Sequence, residues 1–298
     1  MTAPVVIGAP AKVNLTLHVL GRRADGYHDL ESLVAFATIH DVITVAPAED
    51  WSLTVEGPFK DALRAEIGDN QNLVLRAGRI LAEHLGRRDG AAIGLHKTIP
   101  IAAGLGGGSA DAAATLLALC RLWHAELPLP VLAELGLRLG ADLPVCLSSR
   151  AAYMAGIGER IQVAPEVPPL GIVLVNPGVA LPTAMVFRGW QGKTATATRA
   201  SYRPGDVPSL IAALHNGRND LMASAIALAP VIGEVMTQIE SAPGLLLARL
   251  SGSGPTCFGL FADSLAAEKA AASIATARPD WWVRAGRLIR GREELLEG

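Results

Sequence analysis

Along Val13-Asn14-Leu15-Thr16-Leu17-His18-Val19 apolar and polar residues alternate, the two-residue period of a strand with one buried face. The pattern completes an apolar run that begins at Val5 and predicts strand structure over residues 5–20, followed by a polar turn over 21–26. Residues 30–39 and 41–45 predict two further strands, and residues 51–56 alternate until Gly57-Pro58 breaks the pattern. The period then changes. Over residues 72–85, Leu73, Ala77, Ile80, Leu81 and His84 share one helical face while Arg76, Arg79 and Glu83 occupy the other. A short strand over 91–97 leads through Pro100 into a glycine-rich loop and an Ala/Leu-rich helix over 110–122. Residues 130–139 predict a helix stopped at Gly140, with Ala141-Asp142-Leu143-Pro144 as a loop feeding the apolar stretch 145–147. Residues 151–161 contain a Gly156-Ile157-Gly158-Glu159 turn.

Pro165, Pro168 and Pro169 mark the sharpest change in composition, so a domain boundary is placed near residue 165, dividing the chain into residues 1–164 and 165–298. Beyond it, residues 171–176 predict a strand ending at Pro177-Gly178, and the polar stretch 194–206 a loop. Helices are expected over 209–215, 221–228 and 230–241, a strand over 245–250, a second glycine loop at Ser251-Gly252-Ser253-Gly254, a helix over 264–277 and a last strand over 281–286.

Composition narrows the functions open to this fold. The 298 residues carry 26 Lys+Arg against 28 Asp+Glu, a formal net charge of −2 with no charged block, which excludes a wide nucleic-acid or anionic-membrane footprint. Mean hydropathy is high at +0.34, yet the excess lies in short Ala and Leu runs far below the roughly 18–20 residues of a membrane span. Met1-Thr2-Ala3-Pro4 has neither a basic nor a sustained apolar segment, so a cytoplasmic protein without a signal peptide is expected. Cys120, Cys146 and Cys257 lie far apart in apolar surroundings and predict buried thiols rather than a disulfide framework.

The 31 glycines are clustered. In Pro100-Ile101-Ala102-Ala103-Gly104-Leu105-Gly106-Gly107-Gly108-Ser109-Ala110-Asp111, four glycines in five positions expose backbone N–H groups ahead of a helix, the form of an anion cradle. The segment is neither a Walker A loop nor a dinucleotide fingerprint, and a tight turn with Ser109 as helix cap and Asp111 as a first-turn acid is the alternative. Lys12 and Asn14 fall on one face of the first strand, either as a site or as an exposed edge charge. Asp142 is either a helix-terminating residue or a carboxylate whose ionisation a nearby ammonium would preserve. The Ser251-Gly252-Ser253-Gly254-Pro255-Thr256 loop reads equally well as a plain turn. Of the seven histidines, His28 stands beside Tyr27 in a turn where a flat ligand can stack. No histidine spacing supports a metal held by the protein alone.

Taken in order, these segments resemble the GHMP kinase superfamily, with its Lys-bearing first strand, P-x-x-x-G-L-G-G-G-S loop and late G-S-G-P-T loop. Within it, Ala9-Pro10-Ala11-Lys12-Val13-Asn14-Leu15, Arg23-Ala24-Asp25-Gly26-Tyr27-His28, Gly140-Ala141-Asp142-Leu143-Pro144-Val145, Asn176-Pro177-Gly178 and Pro182-Thr183 resemble the branch acting on a cytidylylated methylerythritol. The resemblance implies a two-domain α+β fold: an N-terminal nucleotide-binding domain, a C-terminal ferredoxin-like α/β plait, and the active site in the cleft between them. It further implies transfer of the ATP γ-phosphoryl group, with Mg²⁺ bound alongside ATP, to the 2-hydroxyl of 4-diphosphocytidyl-2-C-methyl-D-erythritol in non-mevalonate isoprenoid synthesis. Lys12 and Asp142 are the implied catalytic pair. Residues Pro100 to Ala110 would hold ATP, with Asn14, Tyr27, His28, Asp142, Thr183 and Phe187 on the second substrate and Gly252, Ser253 and Gly254 over the phosphates. The expected partners are these small molecules, on a monomer or weak homodimer. A homoserine- or mevalonate-type kinase and a nucleotide-binding protein without turnover are the alternatives.

Overall fold

The strands expected over 30–39 and 41–45 are one: β3 (His28–Ala48) runs for 21 residues through Asp41. A lone carboxylate inside an apolar strand reads as a break, but Asp41 is fully buried and satisfied, accepting from the backbone N–H of Thr98 at 2.5 Å and of Ile99 at 2.9 Å and from Lys97 Nζ at 2.6 Å. The computed structural model describes residues 3–67, 72–192 and 199–295. Antiparallel to β3 lie β1 (Val5–Asn14), β2 (His18–Arg22), β5 (Gly90–His96) and β6 (Ala152–Gly156). β4 (Ser52–Glu56) runs parallel to β5, and β7 (Arg160–Val163) forms a hairpin with β6.

The first strand is shorter than its alternation predicts. After Asn14 the chain leaves the ladder, because Leu17 bridges to Asn219 and the Arg249 guanidinium donates to Leu15 O at 2.6 Å, both from the second half of the chain. The helix α1 (Lys60–Ile67) was not predicted; among its described side chains Leu63 alone is buried, too few for a legible apolar period. α2 (Leu73–His84) matches the amphipathic segment and is capped by Asn72, whose Oδ1 accepts from Val74 N at 2.9 Å. α3 starts at Gly107, three residues before the expected point, and runs to Leu122. Its Ala110, Ala112, Ala113, Ala114 and Ala118 are fully buried, and these small side chains let the helix lie against β1 and β3 with α2 beside it. α4 (Leu129–Leu137) follows as predicted. The apolar stretch after Asp142 is a helix, α5 (Leu143–Ser148), whose Pro144 fits the first turn, where no intrahelical N–H is needed.

In the second half β8 (Gly171–Asn176), β9 (Leu245–Leu250), β10 (Cys257–Phe261) and β11 (Trp282–Ile289) form an antiparallel set in the order β11-β8-β10-β9. This is the 4-1-3-2 order of the plait that the resemblance implies. β8 is buried on both faces, sending Ile172 and Leu174 into the core shared with the first half and Val173 and Val175 into a core with α9 (Val231–Glu240) and α10 (Ser264–Ala277). Three short helices, α6 (Thr183–Gly189), α7 (Val207–His215) and α8 (Met222–Leu228), connect β8 to α9; α6 and strand β10 were not predicted. β11 continues past β8 to pair Leu288 and Ile289 with Ala37 and Phe36 of β3, so both halves share one eleven-stranded sheet. A 3₁₀ turn (Arg292–Leu295) then packs on β1. Of the loop expected over 194–206, residues 194–198 lie outside the described residues and 199–206 form neither helix nor strand. The three cysteines are buried and free. Among the described residues no helix is long and apolar enough to cross a membrane.

Candidate active site

Lys12 is no edge charge. It is 4% exposed, and its ammonium lies 3.1 Å from Asp142 Oδ2 and donates to Asn14 Oδ1 at 3.1 Å. The two-residue strand period puts Lys12 and Asn14 on one face, as read from the sequence. Asp142 occupies the N-cap position of α5 but caps nothing; its carboxylate turns to Lys12 and stays 37% exposed. It is therefore not the terminator of the preceding helix, which ends at Leu137. Asn14 is itself buried, and its Nδ2 donates to Ser32 Oγ at 2.8 Å, so both ends of its amide are engaged with protein groups.

Above the pair stands the glycine loop. Gly106, at φ +63°, is the N-cap of α3, so Ser109 is not the cap and lies within the first turn. A Cβ at Gly106 would lie 3.1 Å from Lys12 Cε and 3.7 Å from Asp142 Oδ2: the glycine lets the helix N-terminus approach the ion pair. A cleft of about 290 Å³ opens beside the loop, lined by Pro100 to Gly104 and Gly106 to Ser109 together with Asn72 and Leu73 of α2 and Lys97. Leu105 and Ala110 turn their side chains into the two cores and can meet a ligand only through backbone. Ala102, at φ +49°, is a left-handed residue with a side chain, a strained conformation of the kind that gathers at functional loops.

Ser251 joins three of the motifs read from the sequence. Its Oγ accepts from Asn14 N at 3.2 Å and donates to Gly104 O at 2.9 Å. The late loop is bound to the glycine loop by Thr256 N donating to Ala103 O at 3.3 Å and is braced by Asn219, whose amide donates to Leu250 O and Gly252 O, each at 2.8 Å. At Gly104, φ +73°, a Cβ would sit 2.4 Å from Ser251 O, so glycine is required where the two loops touch. Asn176 Nδ2 donates to Thr256 Oγ1 at 2.9 Å, which places the Asn176-Pro177-Gly178 segment under the same loop.

From Ser253 the site extends to an aromatic cluster. The Ser253 and Thr183 hydroxyls are 2.9 Å apart, and Phe187, one helical turn beyond Thr183 on α6, stacks on His28 with ring centroids 5.1 Å apart. Trp190 meets His28 edge-on at 5.9 Å. Burial, and then the Arg22 charge, lower the His28 pKa, so the imidazole is neutral near pH 7 and can both donate and accept a hydrogen bond. Tyr27 stands apart at 62% exposure on the hairpin tip, its N–H donating to Asp25 Oδ1 at 3.0 Å.

Lys97, Asp41, Trp190 and Arg249 were not singled out from the sequence, and Ser251 was read only as the first residue of the late loop. Lys97 Nζ lies between Asp41 Oδ2 at 2.6 Å and Asp111 Oδ2 at 2.7 Å, all three residues buried directly beneath Gly107. Asp111 is therefore no first-turn helix acid but one side of an ionic staple between the two ends of the glycine loop. Burial, opposed by the Lys97 charge and reinforced by Asp41, raises the Asp111 pKa above the ordinary carboxylate value.

Comparison with known proteins agrees with this geometry. Residues 72–150 match the model of the GHMP kinases N terminal domain and residues 197–279 that of the GHMP kinases C terminal. The chain is 49% identical over 285 residues to the 4-diphosphocytidyl-2-C-methyl-D-erythritol kinase of Rhodospirillum rubrum, covering 96% of this chain and 93% of the relative. It is likewise 49% identical to that of Paramagnetospirillum magneticum, over 95% of this chain and 98% of the relative. A crystal structure of 4-(cytidine 5'-diphospho)-2C-methyl-D-erythritol kinase superposes with a TM-score of 0.76 at 35% identity, covering 95% of this chain and 98% of that one. The homoserine kinase of Cytophaga hutchinsonii, 18% identical over 98% of this chain and 96% of its own, shares the fold with a TM-score of 0.72. Nearly half identical to such relatives over almost its whole length, the chain belongs to the 4-diphosphocytidyl-2-C-methyl-D-erythritol kinase family of the GHMP kinases.

Proposed function

We propose that this protein transfers the γ-phosphoryl group of ATP to the 2-hydroxyl of 4-diphosphocytidyl-2-C-methyl-D-erythritol, giving the 2-phosphate and ADP, as a cytoplasmic step of isoprenoid precursor synthesis. The observation that carries the reading is the Lys12–Asp142 pair, 3.1 Å apart at the glycine N-terminus of α3. Phosphoryl transfer needs positioning and charge neutralisation more than covalent chemistry. Asp142 accepts the hydroxyl proton, and Lys12 holds the carboxylate in place while offsetting charge on the moving group. Asn14 acts through Lys12, which its amide oxygen fixes. The α3 N-terminus holds the phosphates by its unpaired N–H groups, and the cleft between Asn72, Leu73 and Lys97 takes the nucleoside end of ATP. The residue division at 165 then separates the ATP-holding half from the half that brings the Gly252-Ser253-Gly254 loop, Thr183 and Phe187 to the other side.

Mg²⁺ binds through hard oxygen donors and usually shares them with substrate phosphates. The Ser109 hydroxyl, in the first turn of α3 and lining the cleft, is such a donor and would hold, together with the phosphates of ATP, an ion that arrives with the nucleotide. Bound there, the ion supplies further neutralisation of phosphate charge.

The test is a phosphotransfer assay with ATP and a set of alcohols comprising the cytidylylated methylerythritol, homoserine, mevalonate and galactose, reading product mass. Product from the first alone is expected; product from another acceptor instead, or none, overturns the assignment. His28→Ala tests the base pocket. Loss of the stacked ring should raise KM for the cytidylylated alcohol by roughly tenfold, the scale of one base–aromatic contact, and leave KM for ATP unchanged. An equal rise in both would remove the cytosine from this cluster.

A further inference from the structure

Lys12 and Asp142 sit on elements that share no ladder, β1 and the start of α5, which touch each other and both pack on α3. Arg292, in the 3₁₀ turn far along the chain, adds a polar tie between them. Its Nη1 donates to Gly8 O of β1 at 2.7 Å; its Nη2 donates to Cys146 O of α5 at 2.5 Å and to Ser149 Oγ at 2.8 Å. Gly8 precedes Lys12 by four residues, and Cys146 follows Asp142 by four. One rigid guanidinium therefore spans the two elements at equal sequence distance from the two members of the pair. Its planar fork fixes direction as well as distance.

The bonds are of a bracing kind. Among the described residues Arg292 has no carboxylate within ion-pair reach, and its donors go to backbone carbonyls and a hydroxyl. Cys146 O belongs to the last turn of α5, where carbonyls lack an intrahelical partner and a cation is favoured. Ser149, in the left-handed region at φ +49°, adds its own hydroxyl to Cys146 O at 2.8 Å. The turn that presents Arg292 is anchored in its own right. Arg150 pairs with Glu293 at 3.0 Å, Arg290 N donates to Glu294 Oε1 at 3.1 Å, and Leu295 packs over Gly8, where a Cβ would come within 2.8 Å of its Cδ1. Burial lowers the guanidinium pKa to about 10, which still leaves it charged at neutral pH.

We propose that Arg292 is a positioning residue for phosphoryl transfer, bracing β1 against α5 so that Lys12 and Asp142 meet. The inference rests on the reading of that pair as catalytic. The experiment is a double-mutant cycle on the full chain with ATP and the cytidylylated alcohol: Arg292→Ala, Asp142→Asn and the two together, with Arg292→Lys as the conservative variant. Misplacing a reacting group by about 1 Å can cost up to about a hundredfold in rate. Arg292→Ala is expected to lower kcat on that scale with KM for ATP within about twofold, because the glycine loop is untouched. Arg292→Lys, which keeps the charge and can reach one carbonyl, should recover part of the loss. In the Asp142→Asn background, Arg292→Ala should cost nothing further, since a brace for an absent base has nothing left to place. A further loss of the same size in that background overturns the proposal, as does an unchanged kcat in Arg292→Ala. If Arg292→Ala does not fold, Arg292→Lys in the two backgrounds decides by the same comparison. Near-normal turnover in Asp142→Asn alone would instead sink the catalytic reading, a result distinct from either.

Discussion

Asp142→Asn should lower kcat by at least about a hundredfold, some 2.7 kcal/mol of transition-state stabilisation, while ATP binds as before. The amide keeps the shape of the side chain but can neither take up the hydroxyl proton nor serve as a full anionic partner for Lys12. Binding of ATP is spared because Asp142 contributes no cap to α5, so the helix stands without the carboxylate, and because the phosphate loop is fastened elsewhere, through Ser251, Thr256 and the Lys97 staple. Steady-state kinetics with saturating cytidylylated alcohol would give kcat, and calorimetric titration with ATP the affinity. Turnover within about threefold of the parent would remove Asp142 from the proton transfer.

Lys97→Met is the second large effect, and it acts on stability. The ammonium lies between two carboxylates that are 0% and 2% exposed, and removing one partner of a buried ionic cluster leaves uncompensated charge, at about 3–5 kcal/mol. For a chain of this size that is on the order of a 10 °C fall in Tm. Asp41 retains its backbone donors at Thr98 and Ile99, so the strain concentrates at Asp111, whose Oδ1 already has no partner among the described residues. Adding Asp111→Asn to Lys97→Met should therefore recover part of the loss. Thermal melts of the single and double variants measure both, and a single variant within about 2 °C of the parent would show that the staple contributes little.

Much of the fold and part of the site were legible because they obey local periods. The alternation around Val13 placed Lys12 and Asn14 together, and the glycine run before an Ala-rich segment announced a helix N-terminus open to anions. What escaped the sequence depends on partners distant along the chain. Asp41 looks like a break in a strand until Lys97, 56 residues on, is known to face it. Asp142 looks like a loop residue because α5 is six residues long and carries a proline, too short to show a period. Arg249, alone in the apolar run of β9, was the one local anomaly that could have been noticed: a cation in a strand core must find carbonyls, and it finds Leu15, Leu214 and Gly217. Arg292 gave no signal, since its meaning lies in two strangers, Gly8 and Cys146. The aromatic cluster was half visible, with His28 read from its turn and Phe187 from the resemblance, whereas Trp190 enters only because α6 is a helix.

The burial of α3 bears on how the protein meets ionic strength. From Ala110 onward α3 is sheathed in core side chains, whereas its first turn, Gly107 to Ser109, stands partly exposed at the cleft, so the partial charge at its N-terminus acts only at short range. Surface lysines and arginines lose their pull over about 10 Å at 0.1 M salt. With a net charge of −2 and no charged block along the sequence, the protein has no long-range field with which to gather anions, and the phosphate binding proposed for α3 would rest on groups within hydrogen-bond reach of the ligand.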